Sequence, residues 1–242
     1  MPTPLDPELL LKAYAAGIFP MADGRDAGDV YWVEPKKRGI LPLDAFKMSR
    51  SLAKTLKSGR FTTSCDQEFS SVVQLCAQSA PDRPSTWING AIEAAVLRLH
   101  QLGHAHSIEA WADGALVGGL YGITLGRAFF GESMFSRATD ASKVALAHLV
   151  ARLRAGGFTL LDCQFITPHL ASLGAVEINR FRYMSLLSSA LSSTGCGETA
   201  PDFFAFDLGR APDAVSLDPP RTTSVSGPVS GWRIVQALTQ TS

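Results

Sequence analysis

Apolar and polar positions alternate with a period of two along Phe158-Thr159-Leu160-Leu161-Asp162-Cys163-Gln164-Phe165-Ile166. The pattern predicts a strand with Phe158, Leu160, Asp162, Gln164 and Ile166 on one face and Thr159, Leu161, Cys163 and Phe165 on the other. A carboxyl and a carboxamide then share a face in a stretch otherwise suited to burial, where such groups are costly unless paired or used. The run Phe129-Phe130-Gly131-Glu132-Ser133-Met134-Phe135 has the same period and predicts a second strand, with Phe130, Glu132 and Met134 together. Side by side in a sheet, the two strands would bring Glu132, Asp162 and Gln164 to one place.

Upstream, a short helix over Glu8 to Ala16 leaves through Gly17-Ile18-Phe19-Pro20, and a Pro/Lys-rich turn follows at Glu34-Pro35-Lys36-Lys37-Arg38. Helical patterns run near Phe69 to Gln78 and from Asn89 to Gln101, the latter ending at Gly103. Strand patterns over His106 to Ala112 and Leu116 to Thr124 flank Asp113-Gly114, a two-residue hairpin signal, and Arg127 to Phe135 adds a third antiparallel strand. Asp140 stands where it would cap a long amphipathic helix, Ala141 to Arg154, closed by Gly156-Gly157. The Asp162 strand then pairs parallel to its predecessor through a right-handed crossover. These elements predict an α+β protein: a small amino-terminal domain over 1–60, an acyltransferase-like (GNAT-type) mixed sheet flanked by helices over 61–195, and a Pro/Ser/Thr-rich extension over 196–242. The extension is expected to wrap the surface, with a short apolar end around Trp232-Arg233-Ile234-Val235. In such a sheet the last two strands splay and admit a substrate between them.

Composition narrows the chemistry. The chain has 242 residues, 46% hydrophobic and 18% charged, enough for a substantial core. Apolar runs fall short of the roughly 18 residues a membrane span needs, and the first residues lack the basic flank of a secretory signal, so a soluble, cytoplasmic protein without a membrane partner is expected. Cys65, Cys76, Cys163 and Cys196 show no CxxC spacing, and His100, His104, His106, His148 and His169 form no metal triad; these residues read as structural, and neither a metal nor a cofactor is predicted. Formal net charge is zero, so any polyanion must be held locally. Lys47, Arg50, Lys54, Lys57 and Arg60 recur in steps of 3, 4, 3 and 3, laying cations along one helical face opposite Leu52 and Leu56, with Ser49 or Ser51 as cap. Such a stripe suits phosphates. A coenzyme-A-dependent acyltransferase would want a Gly-rich loop before the long helix; here that loop is Ser136-Arg137-Ala138-Thr139-Asp140. That enzyme, and a non-catalytic aminoacyl-tRNA-binding module, are the alternative readings.

The runs Tyr14-Ala15-Ala16-Gly17-Ile18-Phe19-Pro20-Met21, Thr86-Trp87-Ile88, Leu116-Val117-Gly118-Gly119-Leu120-Tyr121-Gly122, Phe130-Gly131-Glu132-Ser133-Met134-Phe135-Ser136, Asp162-Cys163-Gln164 and His169-Leu170-x-Ser172-Leu173-Gly174-Ala175 resemble the leucyl/phenylalanyl-tRNA–protein transferases over about residues 8 to 191. The resemblance implies transfer of Leu or Phe, less readily Met, from aminoacyl-tRNA to proteins beginning with Arg or Lys, creating an N-end rule degradation signal. It implies that Asp162 and Gln164 carry the catalytic step, with Gln164 orienting the amine or ester and Asp162 holding Gln164 and accepting charge or a proton, while Glu132 binds the aminoacyl-adenosine end. Met134, Phe129 and Phe130 then suit a pocket for Leu and Phe, and Trp87 stacks on the terminal adenine. Where many members have Trp-Trp-Ser-Pro this chain has Trp32-Val33-Glu34-Pro35, so the second adenine-facing indole is absent at Val33 and Trp32 is its remaining candidate. A cationic acceptor residue would pair with Glu109, Glu132 or Asp162.

Overall fold

Asp6 accepts a hydrogen bond from the Glu8 amide at 3.0 Å and Pro7 occupies the first turn, so the chain enters helix α1 (Pro7–Ala15) with two start signals satisfied. The computed structural model describes residues 5–78, 85–192, 199–207 and 226–239. Beyond α1, β1 (Phe19–Met21) and β2 (Tyr31–Val33) form a two-stranded antiparallel ribbon. Strand β3 (Lys37–Ile40) leads to α2 (Arg50–Lys57), whose N-cap Ser49 accepts from the Leu52 amide at 3.1 Å. Then follow β4 (Thr62–Cys65), α3 (Phe69–Ala77), α4 (Gly90–Gln101), β5 (Ala105–Ala112), β6 (Ala115–Leu125), β7 (Ala128–Ser136), α5 (Ala141–Ala155) and β8 (Leu160–Gln164). The chain continues through α6 (Pro168–Ser172), β9 (Val176–Asn179), α7 (Arg180–Ser192), β10 (Ser226–Ser230) and α8 (Gly231–Thr239).

Eight strands make one mixed sheet in the order β10-β4-β5-β6-β7-β8-β3-β9. Its centre is the expected β5–β6–β7 meander, turned by Asp113 and Gly114 at φ 50° and 75°, the positive values a tight two-residue hairpin requires. β8 pairs parallel to β7 after the α5 crossover, as predicted, and the other neighbours pair antiparallel. Apolar layers cover both faces. One contains α2, α5, α8 and Phe203, Phe204 and Phe206; the other contains α1, α3, α4 and α7.

Four expectations change. Lys37 and Arg38 do not turn: they begin β3, a strand of the main sheet between β8 and β9, so the chain before residue 60 contributes directly to that sheet. Helix α5 is not amphipathic, because it packs against the sheet on one side and α2 and α8 on another, burying even His148 and Arg152. Asp140 precedes α5 in a left-handed conformation (φ 71°) and caps nothing; its carboxylate takes Lys143 at 2.8 Å instead. The described parts of the carboxy-terminal extension enter the core, with Phe203, Phe204 and Phe206 buried and β10 paired to β4. Residues 208–225, most of the Pro/Ser/Thr-rich run, lie outside the described residues, as does Cys196.

Candidate active site

β7 and β8 stay paired for only three positions, Ala128↔Leu160, Phe129↔Leu161 and Phe130↔Asp162. Two irregularities end the pairing. On β7 a bulge against β6, where Tyr121 faces Ser133 and Gly122 faces Gly131, leaves Glu132 as the extra residue. On β8 Gln164 adopts φ 52°, which a glutamine tolerates only where the surroundings enforce it. Past these points the strands diverge around a cavity of about 960 Å³, walled on the β7 side by Gly131 to Ser136 and on the β8 side by Leu161, Cys163, Gln164 and Phe165. This is the predicted splay, and its size suits a small-molecule end rather than a whole macromolecule.

Glu132 and Gln164 meet in it. Gln164 Nε2 donates to Glu132 Oε1 at 3.3 Å. Burial pushes the Glu132 carboxyl up to about 8; the nearby charge of Asp162 adds to the rise, and Tyr14 and Arg38 oppose it. The Tyr14 hydroxyl, buried beside that carboxyl, forms no hydrogen bond of ordinary geometry, and burial with Glu132 as neighbour raises its own pKa.

Asp162 is spent elsewhere. Its fully buried carboxylate accepts Arg38 Nε at 2.9 and 3.0 Å, Arg38 Nη2 at 2.5 Å, the Tyr183 hydroxyl at 2.8 Å and the Gln164 backbone amide at 2.8 Å. Arg38 is itself buried; its Nη1 donates to the Gly17 carbonyl at 3.1 Å, and the rings of Phe19 and Tyr183 lie 4.6 Å from the guanidinium. With four donors making five contacts to two oxygens, no lone pair remains for a reacting proton. Asp162 therefore grips the backbone of Gln164 and not its side chain, and the left-handed turn at Gln164 is held by a salt bridge to Arg38 of β3, itself tied to Gly17 just after α1.

The other predicted residues divide. Trp87 and Met134 line the cavity. The β7 bulge reverses the alternation beyond Glu132, so Met134 packs with the α5 layer while Phe130 and Phe135 belong to the opposite one, contrary to the expected shared face. Phe129 and Phe130 are core residues rather than pocket walls: Phe129 stacks near Phe203 at 5.7 Å and Phe130 against Tyr14 at 4.8 Å. Trp32, on β2 opposite Pro20, is 40% exposed and outside the cavity, whose wall takes Phe19 and Met21 from the partner strand. Glu109 lies buried inside the sheet, held by Ser64 at 2.6 Å and Ser107 at 2.5 Å, and cannot meet a cationic acceptor. Burial raises the Cys163 thiol, which removes it as a nucleophile at neutral pH. Arg50, Lys54 and Lys57 ride the exposed side of α2 above buried Leu52 and Leu56, with Lys47 and Arg60 exposed just outside its ends.

Pattern reading passed over Arg38, Tyr183, Tyr14 and His169. Arg38 and Asp162 are 124 positions apart, a pairing without local trace. His169 lines the cavity with Nε2 buried and unpartnered, and burial, then Lys143, lowers its pKa. Among the described residues no three His, Cys, Asp or Glu side chains gather as a metal site.

Comparison with known proteins places the chain in a family. The profile of the family Leucyl/phenylalanyl-tRNA protein transferase matches residues 40–188, and that of its N-terminal domain matches 3–36. A leucyl/phenylalanyl-tRNA–protein transferase of Rhizorhabdus wittichii is 61% identical over 252 residues, 98% of this chain and 99% of that one. One of Zymomonas mobilis is 64% identical over 189 residues, 78% and 70% of the two chains. Among solved structures, the C-terminal domain of a putative lysylphosphatidylglycerol synthetase from Agrobacterium fabrum aligns at 12% identity and TM-score 0.37 over 69% of this chain and 55% of that one, too distant to carry weight. With the profile spanning most of the chain and near-complete alignment to a relative of that name, the chain belongs to the leucyl/phenylalanyl-tRNA–protein transferase family of aminoacyltransferases.

Proposed function

We propose that this protein transfers Leu or Phe, and less readily Met, from aminoacyl-tRNA to proteins beginning with Arg or Lys, marking them for N-end rule degradation in the cytoplasm. The observation that carries the reading is the Glu132–Gln164 contact in the wall of a largely apolar cavity between splayed β7 and β8. An aminoacyl ester is already activated, so aminolysis needs alignment and a place for one proton. The lone pair of the acceptor α-amine attacks the ester carbonyl carbon, a C–N bond forms, the ester C–O bond breaks, and the ribose hydroxyl leaves. Glu132 is the group suited to take the amine proton and return it to the leaving oxygen. Its pKa of about 8 lies close to the roughly 7.7–8.0 of an α-amine, so transfer between them is nearly thermoneutral. Gln164 orients the amine and the ester oxygen. Asp162 becomes a positioning residue.

Met134 and Leu161 offer an adaptable apolar wall for Leu or Phe, and Trp87 offers a face for the terminal adenine. Glu132, the carboxyl among the cavity-lining residues, is committed to the amine proton, and Glu109 and Asp162 are engaged elsewhere, so the preference for a cationic first residue rests on the family likeness. Labelled Phe-tRNA incubated with peptides differing only in residue one tests the proposal. Phe-Arg and Phe-Lys products are expected to form fastest; faster transfer to amino-terminal Asp or Glu would overturn the acceptor assignment, and failure with every peptide would overturn the activity.

A further inference from the structure

The unit formed by β10 and α8 lies beyond residues 40–188, the stretch the family profile matches. It is fastened to the basic helix. Gly231 approaches α2 so closely that an added Cβ would stand 1.9 Å from the Leu56 carbonyl oxygen, and Ile234, Val235 and Leu238 are buried. The residue after that contact, Trp232, is left 56% exposed, with Lys57 Nζ 4.7 Å from its ring centroid. Arg50 and Lys54 precede Lys57 on the same exposed side. At the other margin, Thr55 of α2 reaches Asp140 at 3.5 Å, just ahead of α5, whose first turn gives Ser142 to the cavity wall. A row of cations thus ends at an exposed indole, on a helix that also touches the segment leading into the cavity wall.

A single exposed ring is ordinary on a protein surface, but this one stands at the end of a basic helical face with a cation over its ring. Cations alone would serve a phosphate backbone. An indole beside them adds affinity for a partner that pairs phosphates with open π faces, as a nucleic acid with an unstacked nucleotide does.

We propose that Trp232 is a stacking platform for an unpaired nucleotide in the body of the donor tRNA, with Arg50, Lys54 and Lys57 following the phosphates between the cavity and the platform. The inference rests on the aminoacyl-tRNA reading and extends it to a part of the chain outside the matched domain. The test compares Trp232→Ala, Trp232→Phe and Lys54→Ala with wild type in direct binding of Phe-tRNA across a salt series, and in transfer from phenylalanyl-adenosine. Trp232→Ala is expected to weaken tRNA binding roughly 10-fold with an unchanged salt slope, and Trp232→Phe to retain most of the affinity. Lys54→Ala is expected to reduce the slope by about one. All three should transfer from phenylalanyl-adenosine at the wild-type rate. Wild-type tRNA affinity in Trp232→Ala would overturn the platform. So would a flattened slope, which would mean that Trp232 merely holds Lys57, or an equal loss with both donors, which would mean a folding role. A raised KM for the acceptor protein alone would assign the face to the acceptor instead. Should wild type bind Phe-tRNA through Trp232 yet transfer from neither donor, the platform stands and the transferase reading falls.

Discussion

Glu132 keeps its proton to about pH 8 because its carboxyl is enclosed, and the same enclosure makes it useful as a base and unfavourable as a structural residue. The proposed base role requires the deprotonated form, so the rate of transfer is expected to rise through pH 7 to 9. Glu132→Gln should lower kcat by about 10²-fold or more and leave only the shallower rise that deprotonation of the attacking α-amine itself gives, read by single-turnover transfer across the pH series. Stability should move the other way. The folded-state pKa stands above the ordinary carboxyl value of 4.5, so the stability lent by proton binding is fully present below about 4.5 and gone above about 8. Glu132→Gln, which is neutral throughout, should therefore melt higher than wild type by a margin that grows between those limits. A variant that melts lower at pH 8 would remove Glu132 from the set of buried titrating groups. Asp162 behaves oppositely. Asp162→Asn strands the Arg38 guanidinium in the core and should cost about 3–5 kcal/mol, with activity falling alongside. Adding Arg38→Gln should recover part of the melting temperature but little activity, since Gln164 would still lose its grip. A singly substituted Asp162→Asn enzyme with wild-type melting and turnover would refute both roles.

Strand ends, more than strand centres, make this site. Gly39 on β3 pairs with Gln164, and a Cβ there would stand 2.9 Å from the Phe165 carbonyl carbon and 3.0 Å from the Ile166 nitrogen. Because the obstacle is backbone, Gly39→Ala should push the end of β8 away and cut turnover at least 10-fold for a smaller loss of melting temperature than Asp162→Asn causes. Turnover unchanged in Gly39→Ala would show that the kink has slack. The regular strands of the meander were legible from alternation and from Asp113-Gly114, since local period and turn chemistry suffice for them. The catalytic ends were not. Two consecutive cations at Lys37-Arg38 look like surface turn until Arg38 is paired with Asp162 across the sheet. An extra residue at Glu132 inverts the faces of everything after it, and a left-handed glutamine breaks a pattern that assumes extended backbone. Alternation singled out Glu132 and Gln164 and the resemblance to a family gave them roles; only the bulge and the kink explain how they meet.

At the scale of the whole molecule the charges cancel, with 22 basic and 22 acidic residues, so no long-range field draws a polyanion toward the protein. On the proposed reading, affinity for a tRNA comes from contact with the α2 face, which places the burden on a few cations and makes their removal easy to detect. Arg50 and Lys54 are exposed, make no ion pair among the described residues, and point away from the Leu52 and Leu56 seam that anchors the helix. Arg50→Glu with Lys54→Glu should therefore leave melting temperature near wild type while raising KM for aminoacyl-tRNA about 10-fold or more at moderate salt. The salt dependence of binding should flatten by about two contacts' worth, because each neutralised phosphate releases counterions in proportion. Transfer from phenylalanyl-adenosine, which has no phosphates to lose, should proceed at the wild-type rate, so the cavity acts as its own control. Equal damage to both donors would place the fault in the fold, and an unaltered slope would take the α2 face out of tRNA binding and leave the donor's path over this neutral surface to be sought elsewhere.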